Sequence, residues 1–209
     1  MTPDDFVTLL GSERATAILR VNDQAVAREA MAAAVRGGFR IVEFTLTIPG
    51  ALDLIEEFAA RPELVVGAGT VLTEEEAKAS VRRGARFLVS PVTDVDVIRR
   101  GGELGVAVLP GAHTPTEMLA AHRAGAPLIK LFPAPAGGPA YLRSVLAPLP
   151  FLKVVPTNGV TLENAPAWFE AGCYALGWAG ALFTPEDLAA RRYSSIEERS
   201  RVILAARAR

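Results

Sequence analysis

Two ionisable side chains, Glu43 and Lys130, stand inside runs of otherwise apolar residues. Glu43 lies in the run 41–44, which reads Ile-Val-Glu-Phe, and Lys130 lies in the run 128–132, which reads Leu-Ile-Lys-Leu-Phe. Both runs are typical of buried β-strands, in which successive side chains point to opposite faces. Perturbed ionisable groups concentrate at functional sites, so these two residues are the first candidates for chemistry.

A buried lysine is suited to imine chemistry. Burial disfavours the charged form of Lys130 and lowers its pKa, and a neutral amine can attack a ketone to form an imine. The protonated imine accepts the electrons of a breaking carbon–carbon bond, while Glu43 supplies a general acid and base, directly or through a water. The alternative is a buried Glu43–Lys130 ion pair that only fixes packing, although desolvation can exceed the attraction in such a pair.

Eight short apolar runs that resemble strands recur at intervals of roughly 20 to 25 residues, with helical periodicity between them. The runs are Ala15 to Val21, Arg40 to Leu46, Leu64 to Gly67, Arg86 to Ser90, Val106 to Leu109, Leu128 to Phe132, Leu152 to Val155 and Tyr174 to Gly177. The helical segments include Gln24 to Arg36, Ala51 to Ala60, Glu74 to Arg82 and Thr116 to Ala124. Strict alternation of strands and helices predicts a parallel sheet with right-handed crossovers.

The number of these units favours a barrel. Eight strand–helix units in 209 residues fit the lower end of the (β/α)8 size range. A doubly wound sheet is the alternative, but residues 21–23 after the first strand read Val-Asn-Asp and offer no G-x-G-x-x-G turn. We therefore predict an α/β fold in which residues 1–209 form a single (β/α)8 TIM-barrel domain. An additional N-terminal helix is expected within Met1 to Gly11, and a terminal helix over Ser195 to Arg209.

Glycines that suit left-handed helix ends precede several of the predicted strands. They are Gly37 and Gly38, Gly84, Gly105, Gly125 and Gly172. Their positions support the predicted helix boundaries.

Polar side chains at the carboxyl ends of the strands define the expected site, because barrels of this type place their active sites there. They are Arg20 on strand one, Glu43, Thr45 and Thr47 on strand two, Thr70 after strand three, Ser90 on strand four, Lys130 on strand six, and Thr157 and Asn158 after strand seven. Strands two and six are opposite each other in a ring of eight. If Glu43 and Lys130 both point inward, they converge on one small substrate.

Composition excludes several classes of function. The chain is 50% hydrophobic with a formal net charge of -1, so it lacks the excess of positive charge that would indicate binding to nucleic acid or an anionic membrane. No apolar run is long enough to span a bilayer. Cys173 is the only cysteine, which suits a reducing cytoplasm, and the two histidines belong to no cluster of metal ligands. We expect a cytoplasmic protein that acts on a small molecule without a metal or other cofactor.

Several segments then resemble one family of enzymes. They are Ile18-Leu19-Arg20, Glu43-Phe44-Thr45-Leu46-Thr47, Gly67-Ala68-Gly69-Thr70-Val71, Ser90-Pro91, Pro110-Gly111, Thr114-Pro115-Thr116-Glu117, Lys130-Leu131-Phe132-Pro133-Ala134 and Pro156-Thr157. In order along nearly the whole chain, they resemble the 2-keto-3-deoxy-6-phosphogluconate (KDPG) and 4-hydroxy-2-oxoglutarate (KHG) aldolases. The segment that begins at Lys130 is the most specific.

This resemblance implies a class I, metal-independent aldolase, usually a homotrimer, that cleaves 2-keto-4-hydroxy acids to pyruvate and an aldehyde. On this mapping Lys130 forms the imine, Glu43 moves protons, and Arg20 and Thr70 hold the pyruvate carboxylate and its surroundings. The other implied substrate contacts are Phe132, which walls the pocket, with Thr47, Pro91, Thr157, Asn158, Gly159, Gly177, Ala179 and Gly180. The planar fork of an arginine suits a carboxylate. The alternatives are a strand-end salt bridge for Arg20 and, for Thr70, a cap on the helix that begins near Thr73.

The sequence departs from the family where a distal phosphate is expected. Residues 156–159 read Pro-Thr-Asn-Gly where many members have Pro-Thr-Gly-Gly, and residues 177–180 read Gly-Trp-Ala-Gly where many have Gly-Val-Gly-Ser. The serine hydroxyl is absent and Asn158 adds bulk, although backbone N–H groups in these loops can still bind an anion. Thr47 stands where part of the family has arginine. The shorter dicarboxylate KHG therefore gains weight as a substrate.

Two other functions remain open from the sequence. A phosphosugar isomerase on the same barrel would use a carboxylate base and form no imine, which leaves Lys130 unexplained. A barrel that binds a keto acid without chemistry would not need Lys130 and Glu43, and both are present.

Overall fold

Strands and helices alternate along the chain in the computed structural model, which describes residues 1–206. The strands are β1 (Ala15–Leu19), β2 (Ile41–Thr45), β3 (Val65–Gly69), β4 (Phe87–Val89), β5 (Ala107–Leu109), β6 (Gly111–Ala112), β7 (Ile129–Leu131), β8 (Val154–Pro156) and β9 (Leu176–Trp178). The helices are α1 (Pro3–Glu13), α2 (Gln24–Arg36), α3 (Ala51–Ala59), α4 (Glu74–Arg82), α5 (Val95–Glu103), α6 (Pro115–Arg123), α7 (Gly138–Leu146), α8 (Ala165–Glu170), α9 (Pro185–Ala189) and α10 (Tyr193–Ala206). Each predicted run overlaps a strand, although β3, β8 and β9 extend one or two residues beyond the predicted ends, and α2 and α4 have the predicted bounds.

The strands close into the predicted barrel. Six parallel strands pair in the order β5-β4-β3-β2-β1-β9, and a second sheet has the order β6-β7-β8. A parallel bridge between Thr157 and Gly177 joins the two sheets at β8 and β9. At the other junction, β5 and β6 are two parts of one barrel strand on either side of Pro110, whose carbonyl accepts a hydrogen bond from the Lys130 N–H at 2.9 Å. The predicted (β/α)8 architecture is confirmed.

The predicted glycine helix ends are also confirmed, with one difference. Gly38, Gly84, Gly105, Gly125 and Gly172 have φ angles between 74° and 110°, a range that glycine adopts without strain. Gly37 instead has φ -73° and packs closely, because a Cβ there would lie 2.3 Å from Cβ of Ser200 on α10. The predicted helix at the chain's end is α10, and residues 207–209 of that prediction lie outside the described residues.

The core has two compartments separated by the barrel wall. The larger lies between the strands and the surrounding helices. The smaller fills the barrel, where the predicted N-terminal helix, α1, inserts Phe6, Val7 and Leu10 among inward-facing strand residues. Phe6 stacks on Phe87 with ring centroids 4.5 Å apart. Helix α1 thus closes the amino-terminal end of the barrel and leaves the carboxyl ends of the strands as the open end.

Candidate active site

Lys130 and Glu43 both lie inside the barrel. Lys130, on β7, is 6% exposed, and Glu43, on β2, is 1% exposed. They line the same small internal void of about 10 Å³, together with Thr16, Ile18 and Thr157 among others. The predicted convergence of these two ionisable groups is therefore observed in the structure.

Burial pushes both groups toward their neutral forms. It raises the pKa of Glu43, and this effect is opposed by the positive charges of Lys130 and Arg20. It lowers the pKa of Lys130, where the charge of Glu43 acts against the shift and that of Arg20 adds to it. The Lys130 Nζ lies 4.9 Å from the centre of the Phe132 ring. A neutral amine of this kind is the form that attacks a carbonyl.

The structure does not contain the alternative, a Glu43–Lys130 ion pair. The two side chains influence each other electrostatically, but no hydrogen bond or ion pair joins them. The Glu43 Oε1 atom is buried and accepts no hydrogen bond from the protein. A carboxyl oxygen without a structural partner is free to exchange a proton with a substrate or with a water, since the adjoining void is large enough to hold one.

Arg20 and Thr70 contact each other at the open end of the barrel. The Arg20 Nη2 donates a hydrogen bond to the Thr70 Oγ1 at 3.3 Å, and the described residues give Arg20 no carboxylate partner. Thr70 adopts a left-handed backbone conformation, with φ 60°. Helix α4 is capped by Thr73, whose side chain accepts a hydrogen bond from the Glu76 N–H. Neither structural alternative, the Arg20 salt bridge or the Thr70 helix cap, is present.

A cleft of about 740 Å³ opens above Lys130. Seven of the predicted site residues line it: Arg20, Lys130, Phe132, Thr157, Asn158, Ala179 and Gly180. The sequence did not single out its other wall, which consists of Ile18, Val21, Asn22, Asp23, Val26, Phe183, Pro185, Leu188, Ala189 and Arg191. The cleft therefore extends from the buried lysine past the end of β9 to helix α9 and the turn that follows it.

The remaining predicted site residues lie around the cleft without lining it. Gly177 packs beneath it, since a Cβ at that position would be 2.4 Å from the Thr157 Oγ1. The Gly159 carbonyl accepts a hydrogen bond from Asn164, Thr47 shares one with Thr45 at 2.9 Å, and the Pro91 carbonyl packs against Gly111. Substrate contacts stay predictions for these residues, as they do for the seven that line the cleft.

A buried carboxylate holds the far wall of the cleft in place. Asp187, on α9, is 4% exposed and accepts hydrogen bonds from Arg192 at 2.7 Å and Arg199 at 2.6 Å. These hydrogen bonds lower the pKa of Asp187 to about 2. Arg199 also donates to the Leu182 carbonyl at 2.7 Å, so one side chain ties the segment after β9 to α10. Helix α9 was not among the predicted elements; it begins after Thr184, whose side chain caps it by accepting a hydrogen bond from the Asp187 N–H.

Within residues 1–206, no three His, Cys, Asp or Glu side chains lie close enough to share a metal ion. No helix of the same region is both long and apolar enough to cross a membrane.

Comparison with known proteins decides the family. A model of the KDPG and KHG aldolase family matches residues 8–198. The chain belongs to this family. The 2-dehydro-3-deoxy-6-phosphogalactonate aldolase of Escherichia coli is 37% identical over 177 residues, which cover 80% of this chain and 83% of that protein. A solved structure of native KDPGal has a TM-score of 0.82 and 32% identity, with 91% of this chain and 93% of that chain covered.

A KDPG aldolase from Legionella pneumophila, solved with pyruvate captured as a covalent carbinolamine, has a TM-score of 0.85. It covers 93% of this chain and 96% of its own at 24% identity, so this likeness concerns the fold. Membership of the KDPG and KHG aldolase family makes the protein a class I aldolase, a carbon–carbon lyase that works through a Schiff base. The resemblance seen in the sequence is confirmed.

Proposed function

We propose that Lys130 is the Schiff-base lysine of this aldolase and that Glu43 is its proton carrier. The observation that carries the proposal is the burial of both groups, unpaired, beneath one cleft. The substrate we favour is a 2-keto-3-deoxy acid with a phosphate at carbon six, such as 2-dehydro-3-deoxy-6-phosphogluconate. Its products would be pyruvate and glyceraldehyde 3-phosphate.

The reaction follows from the chemistry of these groups. The neutral Lys130 amine attacks the C2 carbonyl, and loss of water gives a protonated imine. The C3–C4 bond then breaks and its electron pair forms the C2–C3 double bond, while the π pair of the C=N bond moves to nitrogen to give an enamine. The C4 hydroxyl gives its proton to Glu43 and becomes the carbonyl of the aldehyde. Glu43 returns this proton to C3 of the enamine, and addition of water to the imine releases pyruvate and the free amine. Arg20, oriented by Thr70, binds the substrate carboxylate.

The length and charge of the cleft support a distal anion on the substrate. The cleft extends to Arg191, for which the described residues provide no hydrogen-bonded carboxylate. Even without Lys130, the two positive charges of Arg20 and Arg191 outnumber the negative charge of Asp23, whose side chain already accepts a hydrogen bond from the Val26 N–H at the start of α2. A cleft with excess positive charge favours a substrate with negative groups at both ends.

A second substrate, the five-carbon KHG, is favoured by one observation. Asn158, Ala179 and Gly180 line the cleft where many family members have small residues and a serine hydroxyl that suit a phosphate. The measurement that separates the two substrates is kcat/KM on each of them. A higher value for the unphosphorylated compound, with glyoxylate as the aldehyde product, would reverse the preference.

Trapping with borohydride tests the proposed nucleophile. The protein is incubated with pyruvate and borohydride, and the reduced adduct is located by peptide mapping. The adduct is expected on Lys130 and absent from Lys130→Ala, while Lys78→Arg and Lys153→Arg serve as controls that retain it. An adduct on another lysine, or none, would remove the central claim and leave an isomerase or a keto-acid-binding barrel.

Replacement of the carboxyl tests Glu43 separately. Glu43→Gln is expected to form the imine but to slow the exchange of pyruvate methyl hydrogens with solvent deuterium by about 10²- to 10⁴-fold, the usual contribution of general acid–base catalysis. Exchange at the wild-type rate would exclude Glu43 from proton transfer.

We also propose that the enzyme is a cytoplasmic homotrimer. Leu72, Val92 and Val95 are large apolar side chains about half exposed in the segments after β3 and β4, two neighbouring strands. An exposed apolar patch of this kind is a candidate for a subunit interface. Sedimentation equilibrium is expected to give three copies per particle, and Val95→Asp should weaken that assembly; a monomeric wild-type protein would contradict the proposal.

A further inference from the structure

Two glycines of β3 face the inside of the barrel where larger side chains would be expected. Val66 and Ala68 of this strand pack outward among the helices, whereas Val65 belongs to the interior cluster. Alternation along the strand therefore directs positions 67 and 69 inward. Both positions are glycine, and each faces a specific neighbour.

At position 69 that neighbour is the carboxyl group of Glu43. A Cβ atom on Gly69 would lie 2.0 Å from the Glu43 Oε1, 2.8 Å from its Cδ and 3.0 Å from its Cγ. The Oε1 atom is also the one that accepts no hydrogen bond from the protein. No protein hydrogen bond holds this oxygen, so its position depends on the shape of the surrounding space.

Backbone geometry does not account for the glycine. Gly69 is paired within the sheet, opposite Thr45, and its carbonyl accepts a hydrogen bond from the Leu46 N–H at 2.8 Å. Its φ angle is outside the left-handed range, so an L-residue can adopt the same conformation. Glycine inside a strand weakens it and often marks a close approach by another group. Here that group is the side chain of Glu43.

We propose that Gly69 is a positioning residue: the absence of a side chain there fixes where the Glu43 carboxyl group lies relative to Lys130. The inference rests on the proposed role of Glu43 in proton transfer. An added methyl group would push the carboxyl toward the internal void that Glu43 and Lys130 share. This movement is small enough for the barrel to tolerate, but it misplaces the group that moves the proton.

Gly69→Ala tests the inference, with Gly67→Ala as the matched control. Both variants add one methyl to the same face of the same strand, but a Cβ at Gly67 would meet the Phe87 ring, 2.3 Å away, instead of Glu43. Two quantities are measured: borohydride trapping of pyruvate, and deuterium exchange of the pyruvate methyl group per trapped imine. Gly69→Ala is expected to retain trapping and to lose about 10²-fold in exchange, the effect of misplacing a catalytic group by about 1 Å. Gly67→Ala should lower stability and leave exchange per imine unchanged.

A double variant shows whether the effect passes through the carboxyl group. The side chain of Glu43→Ala ends at its Cβ and lacks the three atoms that a Cβ at position 69 would meet most closely. Adding Gly69→Ala to Glu43→Ala is therefore expected to change the residual exchange little, in contrast to its effect in the wild type. If Gly69→Ala alone does not fold, folding of the double variant would support the same overlap, and failure of both to fold would overturn the inference.

The remaining outcomes separate this inference from the proposed function. Wild-type exchange in Gly69→Ala, together with impaired exchange in Glu43→Gln, would overturn the role of Gly69 alone. An equal loss of exchange per imine in Gly67→Ala and Gly69→Ala would show that both glycines serve only the packing of the barrel. Wild-type exchange in Glu43→Gln would instead remove Glu43 from the mechanism.

Discussion

Thr70→Gly is expected to be more stable than Thr70→Ala and less active than the wild type, because Thr70 combines a strained backbone with a functional side chain. Its φ of 60° places an L-residue in the left-handed region, at a cost of about 1–2 kcal/mol. Glycine adopts this conformation without that penalty. Relative to alanine, however, it lowers the free energy of unfolding by about 0.4–1 kcal/mol, because it gives the unfolded chain more conformational freedom. Thr70→Gly should therefore exceed Thr70→Ala in unfolding free energy by about 1 kcal/mol. In a chain of this length that difference corresponds to roughly 2–4 °C in Tm.

The effect on activity has the opposite sign. Both variants remove the hydroxyl that accepts a hydrogen bond from the Arg20 Nη2. The partner is a charged group at the exposed mouth of the cleft, so its loss is expected to cost about 1 kcal/mol, or roughly a fivefold weaker binding of pyruvate. Thr70→Ser retains the hydroxyl and should bind pyruvate like the wild type.

Thermal unfolding and pyruvate titration of imine formation check the two halves of this prediction. Asn158→Gly is a control for strain. Asn158 has φ 67°, but asparagine tolerates this left-handed region better than threonine. The part of the Tm change that comes from relief of strain should therefore be smaller in Asn158→Gly than in Thr70→Gly. A Thr70→Gly protein that melts below Thr70→Ala would refute the strain argument. Wild-type affinity for pyruvate in Thr70→Gly would refute the proposed orientation of Arg20.

Three further predictions concern the cleft and its supports. The hydrogen bonds from Arg199 and Arg192 lower the pKa of Asp187 from its ordinary 3.8 to about 2. The ionised Asp187 therefore stabilises the fold fully above about pH 4, and this stabilisation disappears as the pH falls through about 2. Asp187→Asn should therefore lower the unfolding free energy, measured by urea titration, by about 1–2 kcal/mol at pH 7 and by less at pH 3. The exposed Asp53→Asn is the control and should lower it by less than Asp187→Asn at pH 7. Equal losses for Asp187→Asn at both pH values would contradict this prediction. Burial raises the pKa of Cys173 to about 12, so iodoacetamide at pH 8 should alkylate it only in unfolded protein, and rapid native labelling would count against the described packing. Arg191→Ala should raise KM for the phosphorylated six-carbon substrate and leave pyruvate exchange unchanged, whereas an unaltered KM would exclude Arg191 from the distal site.

The barrel was predictable because the alternation of strands and helices appears in short stretches of sequence. Two details of its strands were not predictable. The sequence predicted a strand over Val106 to Leu109, while the structure continues this strand as β6 beyond Pro110, which has no N–H to pair. It also ended strand three at Gly67, whereas β3 reaches Gly69, because glycine has low strand propensity. In both places the neighbouring strands decide the outcome, and a local pattern does not contain them.

The site divides in the same way. Glu43 and Lys130 were predictable because a charge inside an apolar run is conspicuous in any local window. Asn22, Asp23 and Arg191 were missed as cleft residues because polar residues in loops are ordinary, and only closure of the barrel brings the turn after α9 to the end of β1. Recognising them from sequence would have required knowledge of which loops adjoin each other.

The separation of Lys130 from Glu43 explains how one buried environment can prepare both groups for the proposed reaction. Had the two formed a close ion pair, the lysine would be held protonated and the carboxyl deprotonated, and breaking such a pair would oppose imine formation. Burial without contact instead raises the pKa of Glu43 and lowers that of Lys130, which favours transfer of a proton from the amine to the carboxyl group. Once this proton has moved, the amine is nucleophilic and the nearby carboxylic acid can protonate the departing hydroxyl of the carbinolamine. Because the two groups share this equilibrium, their titration is coupled: Glu43→Gln is expected to change the pH dependence of imine trapping at Lys130. An identical pH profile in wild type and Glu43→Gln would show that the groups act independently.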